Sequence, residues 1–396
     1  MTVSDRAVAI WIGAIAAVAH VVSGFGLSTV YDYQGRLAAA MIEGRWWLTD
    51  APPWLNELLP CGDGRLCVVY PPLPAIAALP FIPFVSTALA QVLASRVAGG
   101  ASAGVLYYAL RAYGAPRAYA LGGVVLSAFG TTLFFTSVDG RAWYAAHAMS
   151  MLFLAASFAV AARGGRPALI GALLGTSALA RLSVAAATPA LALLAARRSR
   201  KPLRPTLLMV VAGGLPLAAL YVAFNVLRWG TPLDEGYARL TQGDVFFTHG
   251  LFSPLYLPRH LQAIFLEPPD LVGGTPFFLR PRFVGMSLFL TTPAFVWVFA
   301  ALRELRRDVV VAATAGAALL ALLPDVFHGT VGFQQFGYRF SIDAQPFLVA
   351  LALSGDGLVR GTWRPAPTPL FIVAIALSVV INVYATIAIT RFGYWQ

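Results

Sequence analysis

Apolar stretches recur along this chain from one end to the other, and polar residues gather in the joints between them. Eleven stretches stand out: residues 7–30, 93–111, 118–137, 144–162, 167–180, 182–196, 206–227, 283–302, 309–327, 342–359 and 368–390. Most reach the ~18 residues that a helix needs to cross roughly 30 Å of hydrocarbon. The pattern predicts an all-α fold: a polytopic transmembrane helical bundle of about eleven spans, in a range of ten to twelve, with 1–396 forming a single transmembrane domain.

The stretches are not uniform. Residues 167–180 and 182–196 supply only fourteen and fifteen residues, or about 21 Å of helix each. The turn between them, at Arg181, is therefore expected below the outer surface. Residues 71–85 are apolar but carry Pro71, Pro72, Pro74, Pro80 and Pro83. Proline removes a backbone donor and breaks a helix, so we read this piece as re-entrant or interfacial; an ordinary kinked span is the other reading.

Composition agrees with the pattern. Apolar residues make up 59% of the chain and charged residues 11%, against about 25% charged in soluble domains. The first stretch is longer than a signal-peptide core and no clean cleavage site follows it, so it reads as a retained helix. The net charge of +11 comes from basic residues scattered between spans. Topology and anionic lipid explain that better than nucleic acid does.

Charge also orients the chain. The densest basic runs are Arg197, Arg198, Arg200, Lys201 and Arg204, then Arg303, Arg306 and Arg307. Both are expected on the cytoplasmic side, together with Arg163, Arg166, Arg360 and Arg364. Counting from these anchors sends the first span outward and leaves the C-terminus outside. Two large extracytoplasmic loops result, 31–70 and 229–282, with smaller ones at 138–143 and 328–341. Loops rich in aromatic, charged and proline residues are where function is expected.

The candidate chemistry lies in these loops. Asp32 heads an amphipathic juxtamembrane stretch in which Leu37, Ala40, Met41 and Gly44 share a face, as in a helix lying in the interface plane. Its side chain either caps that helix or does chemistry. Trp46, Trp47 and Trp54 read as an aromatic belt or a sugar-stacking surface. Arg141 and His147 are candidates for a phosphate, and Asp139 for a second acid. Arg181 has an anion or a protein carboxylate as its partner, because a buried arginine in a membrane marks a site. Arg339 and Asp343 are four apart and suited to pairing on a helix. Asp234 and Glu235 open the second large loop. Cys61 and Cys67 flank Gly62-Asp63-Gly64; they form a disulfide if the loop is extracytoplasmic, and are otherwise two free thiols. Walker, HExxH and GxSxG motifs are missing, and the five histidines are scattered in sequence. No metal or cofactor site is expected from the motifs.

One span, then an acid-headed amphipathic stretch, then Val69-Tyr70-Pro71-Pro72-Leu73-Pro74, form the first part of an ordered set. Trp143 and His147, then Leu179-Ala180-Arg181-Leu182, continue it. Arg228-Trp229-Gly230-Thr231-Pro232-Leu233-Asp234-Glu235-Gly236-Tyr237 follows, and Phe336-Gly337-Tyr338-Arg339-Phe340 with Asp343 and Pro346 closes it. In that order, over essentially the whole chain, these features resemble the GT-C fold glycosyltransferases. The nearest likeness is to the family 39-like membrane enzymes that use dolichyl- or polyprenyl-phosphate sugars. Tyr70 stands where some relatives have lysine, and Tyr33 follows Asp32 where some have a second acid.

The resemblance implies a membrane glycosyltransferase, a hexosyl- or pentosyltransferase of the cell membrane with its active site on the extracytoplasmic face. Asp32 would be the general base. Arg181 and Arg339, with Arg141 behind them, would hold the carrier phosphate. Tyr33, Tyr70, Asp139, His147, Asp234, Glu235 and Tyr338 would contact substrate. No cofactor is implied beyond the lipid-linked sugar donor, with a divalent metal left open. The partners implied are that donor, membrane lipids and an acceptor glycan, lipid or protein, and not nucleic acid. A transporter or flippase for a lipid-linked or anionic solute would use the same buried arginines; the internal repeat common in transporters is not found.

Overall fold

The structure, a computed structural model, describes residues 4–271, 279–282 and 284–393. Residues 272–278 of the second large loop and Phe283, the expected start of the eighth span, lie outside the described residues. The described residues are predominantly helical, with three short two-stranded antiparallel hairpins.

In chain order the helices are α1 (Asp5–Ser23), α2 (Tyr33–Ile42), α3 (Leu73–Ala78), α4 (Thr87–Tyr113), α5 (Arg117–Phe129), α6 (Thr132–Asp139), α7 (Ala142–Ala162), α8 (Pro167–Ala178) and α9 (Thr188–Ser199). They continue with α10 (Leu203–Trp229), α11 (Glu235–Leu240), α12 (Leu257–Phe265), α13 (Leu288–Thr291), α14 (Trp297–Ala301), α15 (Val309–Val326), α16 (Gln345–Gly357) and α17 (Pro369–Phe392). Among the described residues, six of these are long and apolar enough to cross a membrane alone: α1, α4, α7, α10, α15 and α17. The pair α5 and α6, bent by 47° at its break, makes a seventh if it is one span.

That count falls short of eleven for local reasons. The expected eighth span is broken into α13, a 3-10 turn Pro293–Val296, α14 and a further 3-10 turn Leu302–Glu304. Thr292 before the proline has φ −135° and ψ 73°, outside the helical region that the ring disfavours. The expected sixth span begins as a 3-10 segment, Leu182–Ala187, before α9, and the tenth begins as Arg339–Ala344 before α16. Residues 71–85 hold only α3, of six residues, and a three-residue 3-10 turn, too short for a span.

Helix ends follow the side chains. Ser4, Ser86, Asp308 and Thr368 accept backbone bonds at the starts of α1, α4, α15 and α17, the usual work of N-cap oxygens. Gly114 closes α4 at φ 109°, a left-handed conformation suited to glycine. Small residues let α1 lie against α4: a Cβ on Gly104 would stand 2.2 Å from the Ala9 carbonyl oxygen.

The bundle has two distinct ends. At one, Arg111 pairs with Asp5 at 3.1 Å, Arg163 donates to the Tyr108 hydroxyl, and Arg198 donates to the Tyr113 carbonyl. Tyr119 donates to Asp356 there at 2.9 Å. At the other end lie the first loop, the α6–α7 turn, Arg181 and residues 328–343, joined through the contacts described below.

The first loop is packed rather than spread in an interface plane. Tyr33, Leu37, Val68, Val69, Leu73 and Leu179 form one apolar cluster. In α2 the buried residues are Tyr33, Gln34, Gly35, Leu37, Ala38 and Ala40; Met41 is only partly covered, and Gly44 lies beyond the helix and is exposed. Gly35 permits this packing, since a Cβ there would stand 2.0 Å from the Thr87 carbonyl oxygen. Strands β1 (Leu58–Pro60) and β2 (Leu66–Val68) form a hairpin closed by a Cys61–Cys67 disulfide. The remaining hairpins pair β3 (Asp270–Leu271) with β4 (Leu279–Arg280) and β5 (Leu358–Val359) with β6 (Thr362–Trp363).

Candidate functional site

Two arginines define a buried polar cluster at the first-loop end. Arg181 sits at the turn after α8. Its Nε donates to Asp343 Oδ2 and its Nη2 to Asp325 Oδ1, each at 2.8 Å. Asp343 also meets His147 Nδ1 and the Ser183 hydroxyl, both at 2.8 Å. Two carboxylates thus hold Arg181, and His147 supports Asp343 from the other side.

Arg339 does not pair with Asp343, although the two are four apart. Residues Arg339–Ala344 form a 3-10 helix, with about three residues per turn, so positions i and i+4 diverge. Arg339 Nη1 instead donates to the Phe333 carbonyl at 2.9 Å and to Gln335 Oε1 at 3.2 Å. Its Nε is buried without a partner, and no carboxylate pairs with it among the described residues. Asp325 Oδ2 is likewise buried and unpartnered. Both guanidiniums lie near one ring: Arg181 is 5.2 Å and Arg339 5.3 Å from the Phe340 centroid.

Aromatic hydroxyls surround this pair. The Tyr144 ring lies 5.4 Å from Arg339, and the Tyr144 hydroxyl donates to the Gln334 carbonyl. Tyr70 and Tyr237 approach to 6.4 Å between rings, and Tyr237 reaches His328 at 5.7 Å. The Tyr338 hydroxyl meets His260 Nδ1 at 2.8 Å. Because His260 Nε2 faces the His328 carbonyl at 2.9 Å, that nitrogen carries the proton and Nδ1 accepts from Tyr338.

One carboxylate joins from the first loop. Tyr70 donates its hydroxyl to Glu57 Oε2. Burial pushes the Glu57 carboxyl above its ordinary range, while the Tyr70 hydrogen bond and the Arg339 charge pull it down. Arg228, itself buried, fixes this corner by donating to the Val68 and Tyr70 carbonyls, the latter at 3.2 Å.

Asp32 stands at the start of α2, in the first loop. Its side chain makes no cap bond to α2. Gln91 serves the helix start instead: its Oε1 accepts from Gln34 N at 2.9 Å and Gly35 N at 3.2 Å, and its Nε2 donates to the Tyr31 and Gly140 carbonyls. Asp32 Oδ1 accepts from Arg36 Nε at 2.8 Å and Oδ2 from the Thr87 hydroxyl at 2.7 Å, and the residue is 3% exposed. Tyr33, fully buried, accepts at its hydroxyl from Glu57 N at 3.3 Å.

Other expected residues are engaged elsewhere. Asp139 grips Arg141 with both oxygens, at 2.7 and 2.8 Å, and the remaining Arg141 Nη1 donates to Gln334 at 2.8 Å. Arg141 and Asp139 thus hold each other at the start of α7, with Gln334 as a further partner. Asp234 accepts from the Tyr221 hydroxyl at 2.6 Å, and Glu235 pairs with Arg239 along α11, so neither joins the cluster. Trp54 is exposed, whereas Trp47 is covered by Arg65 at 4.4 Å.

Glu57, Asp325 and Ser183 were not among the expected site residues. Asp325 carried a readable signal: an acid at the penultimate position of the apolar helix α15, where an ionisable group is costly. Glu57 and Ser183 carried none. No family model, curated protein or solved structure matches this chain. Among the described residues, no three His, Cys, Asp or Glu side chains converge to hold a metal ion. The guanidiniums of Arg181 and Arg339 are the donors of this cluster suited to a phosphate oxyanion.

Proposed function

We propose that this protein is a multi-pass membrane glycosyltransferase that moves a sugar from a polyprenyl-phosphate carrier to an acceptor on the extracytoplasmic face. The observation that carries the proposal is Arg339: a buried cation with an orphaned Nε and no carboxylate, beside a second arginine and ringed by tyrosines. A buried charge without a partner is costly, and a phosphate oxygen would complete it.

Sidedness and span number belong to the same proposal. Two of the arginines expected in the cytoplasm, Arg163 and Arg198, reach Tyr108 and Tyr113 near the end of α4. The disulfide-closed hairpin lies at the other, and disulfides persist in oxidising compartments. On this reading each of the eleven apolar stretches would cross between those two ends. We read the broken and short ones, including α8 with α9 and α13 with α14, as crossings too. Each packs on one side against a neighbouring helix, and irregular backbone is tolerated in a membrane where protein buries it.

The chemistry follows from the layout. The carrier tail stays in the bilayer while its phosphate reaches Arg339 and Arg181. The acceptor hydroxyl oxygen bonds to the anomeric carbon as the bond from that carbon to the phosphate oxygen breaks. The electron pair leaves with the phosphate, whose negative charge grows, and fixed guanidinium donors stabilise it. The acceptor proton goes to a carboxylate of the first loop, Asp32 or Glu57.

A transporter of lipid-linked or anionic solutes would leave its cargo intact. Purified protein in liposomes, supplied with a panel of radiolabelled hexosyl and pentosyl polyprenyl phosphates and glycerol as surrogate acceptor, separates the two. Release of free polyprenyl phosphate with formation of glycosyl glycerol is the expected result. Movement of intact donor between leaflets with no release would establish transport instead.

A further inference from the structure

We propose that Glu57 is the proton acceptor of the transfer step, and that Asp32 anchors the first loop. The inference rests on the transferase reading and goes beyond it by choosing between two carboxylates of one loop.

The choice follows from what each oxygen already does. Both Asp32 oxygens are bonded, one to Arg36 and one to Thr87, and the residue is 3% exposed. Those bonds tie α2 to the first turn of α4, next to the Gln91 clamp on the same helix start. Glu57 has one oxygen on the Tyr70 hydroxyl, and its Oε1 has no hydrogen-bond partner among the described residues. A base within reach of a substrate hydroxyl needs such an open oxygen.

Glu57 is also held rigidly. Its backbone N–H donates to the Tyr33 hydroxyl at 3.3 Å. The next residue starts the hairpin β1–β2, which the Cys61–Cys67 disulfide closes. Arg228 pins the far strand and Tyr70 from below. Four parts of the chain thereby fix one carboxyl group, which feels the charge of Arg339. Partial burial raises its proton affinity, which makes it a stronger base than a solvated glutamate.

In the step, Glu57 Oε1 takes the acceptor hydroxyl proton as that oxygen bonds to the anomeric carbon. The carbon–oxygen bond to phosphate breaks, and the phosphate keeps the electron pair on Arg339 and Arg181. Tyr70 donates to Glu57 throughout and orients it.

The test uses the full chain in liposomes with the radiolabelled panel, and water and glycerol as acceptors. Glu57→Gln should lower release of polyprenyl phosphate by at least about 100-fold, with competition by unlabelled polyprenyl phosphate unchanged. Glu57→Asp should restore part of the rate. In wild type the rate should fall as acid protonates Glu57, at a pH above the usual carboxylate range. If Asp32→Asn removes release while Glu57→Gln keeps it, the base is Asp32; this proposal fails and the transferase reading stands. If wild type releases no polyprenyl phosphate from any donor in the panel, the transferase reading fails as well.

Discussion

Replacing Arg339 with alanine is expected to lower kcat/KM for the lipid-linked donor by about 10²–10³-fold, the usual cost of removing one donor to a developing oxyanion. Stability should change little, because Arg339 holds no carboxylate that its loss would strand. Its bonds go to the Phe333 carbonyl and Gln335, both in the same loop. Arg339→Lys should recover only a fraction of the rate, since an ammonium lacks the planar fork that meets a phosphate with two donors. Initial rates of polyprenyl phosphate release, compared with thermal melting in detergent, separate the two effects. Full activity in Arg339→Ala would remove the arginine from the site.

The second large effect runs the other way. Arg181→Ala is expected to destabilise the fold by about 3–5 kcal/mol, the range found when one member of a buried ion pair is removed. Asp343 has a fully buried side chain and Asp325 is nearly as covered; both would lose their cation. The same protein with Asp325→Asn and Asp343→Asn added should regain much of that loss, because the stranded charges go with the arginine. Melting temperature and monodisperse yield in detergent check both statements. Equal stability of Arg181→Ala and wild type would mean that the triad contributes nothing to folding. The two arginines, neighbours around Phe340, thus differ in their partners: two carboxylates hold Arg181, and among the described residues none holds Arg339.

Much of this was legible in the chain. Long apolar runs located α7, α10, α15 and α17 to within three residues at each end, and α1 and α4 to within seven, because a helix that must satisfy every backbone group in hydrocarbon leaves a long unbroken signal. The proline cluster at Pro71–Pro74 argued against a long helix, and residues 71–85 hold only short helical turns. Arg181 announced itself as an arginine between two short apolar runs. Backbone breaks were harder to read. Pro293 interrupts the eighth stretch, and the 3-10 turn at Arg339–Ala344 rotates Asp343 away from Arg339 and toward Arg181. A helical spacing rule cannot foresee that change of pitch.

The loop chemistry was legible only by residue type. Asp32 was read as a cap or a base, and it is neither bonded as a cap nor left with a free oxygen, because Gln91 from α4 reaches the helix start first. Asp139 and Arg141 look like separate candidates in sequence, yet they satisfy each other two residues apart. Glu57 has no motif around it. Its importance comes from the hairpin and from Arg228, which is 171 positions further along the chain and fastens Val68 and Tyr70 beside it. Such long-range contacts are set by packing, not by local pattern.

The central claim is that Arg339 receives the phosphate of a lipid carrier at the first-loop end of the bundle. A cryo-EM structure of the protein in a lipid nanodisc with polyprenyl phosphate tests it most directly. The account predicts a phosphate oxygen within hydrogen-bond distance of Arg339 Nε, on the side facing Tyr70 and Glu57. A carrier phosphate seated among Arg163 and Arg198 at the opposite end, with Arg339 untouched, would contradict it.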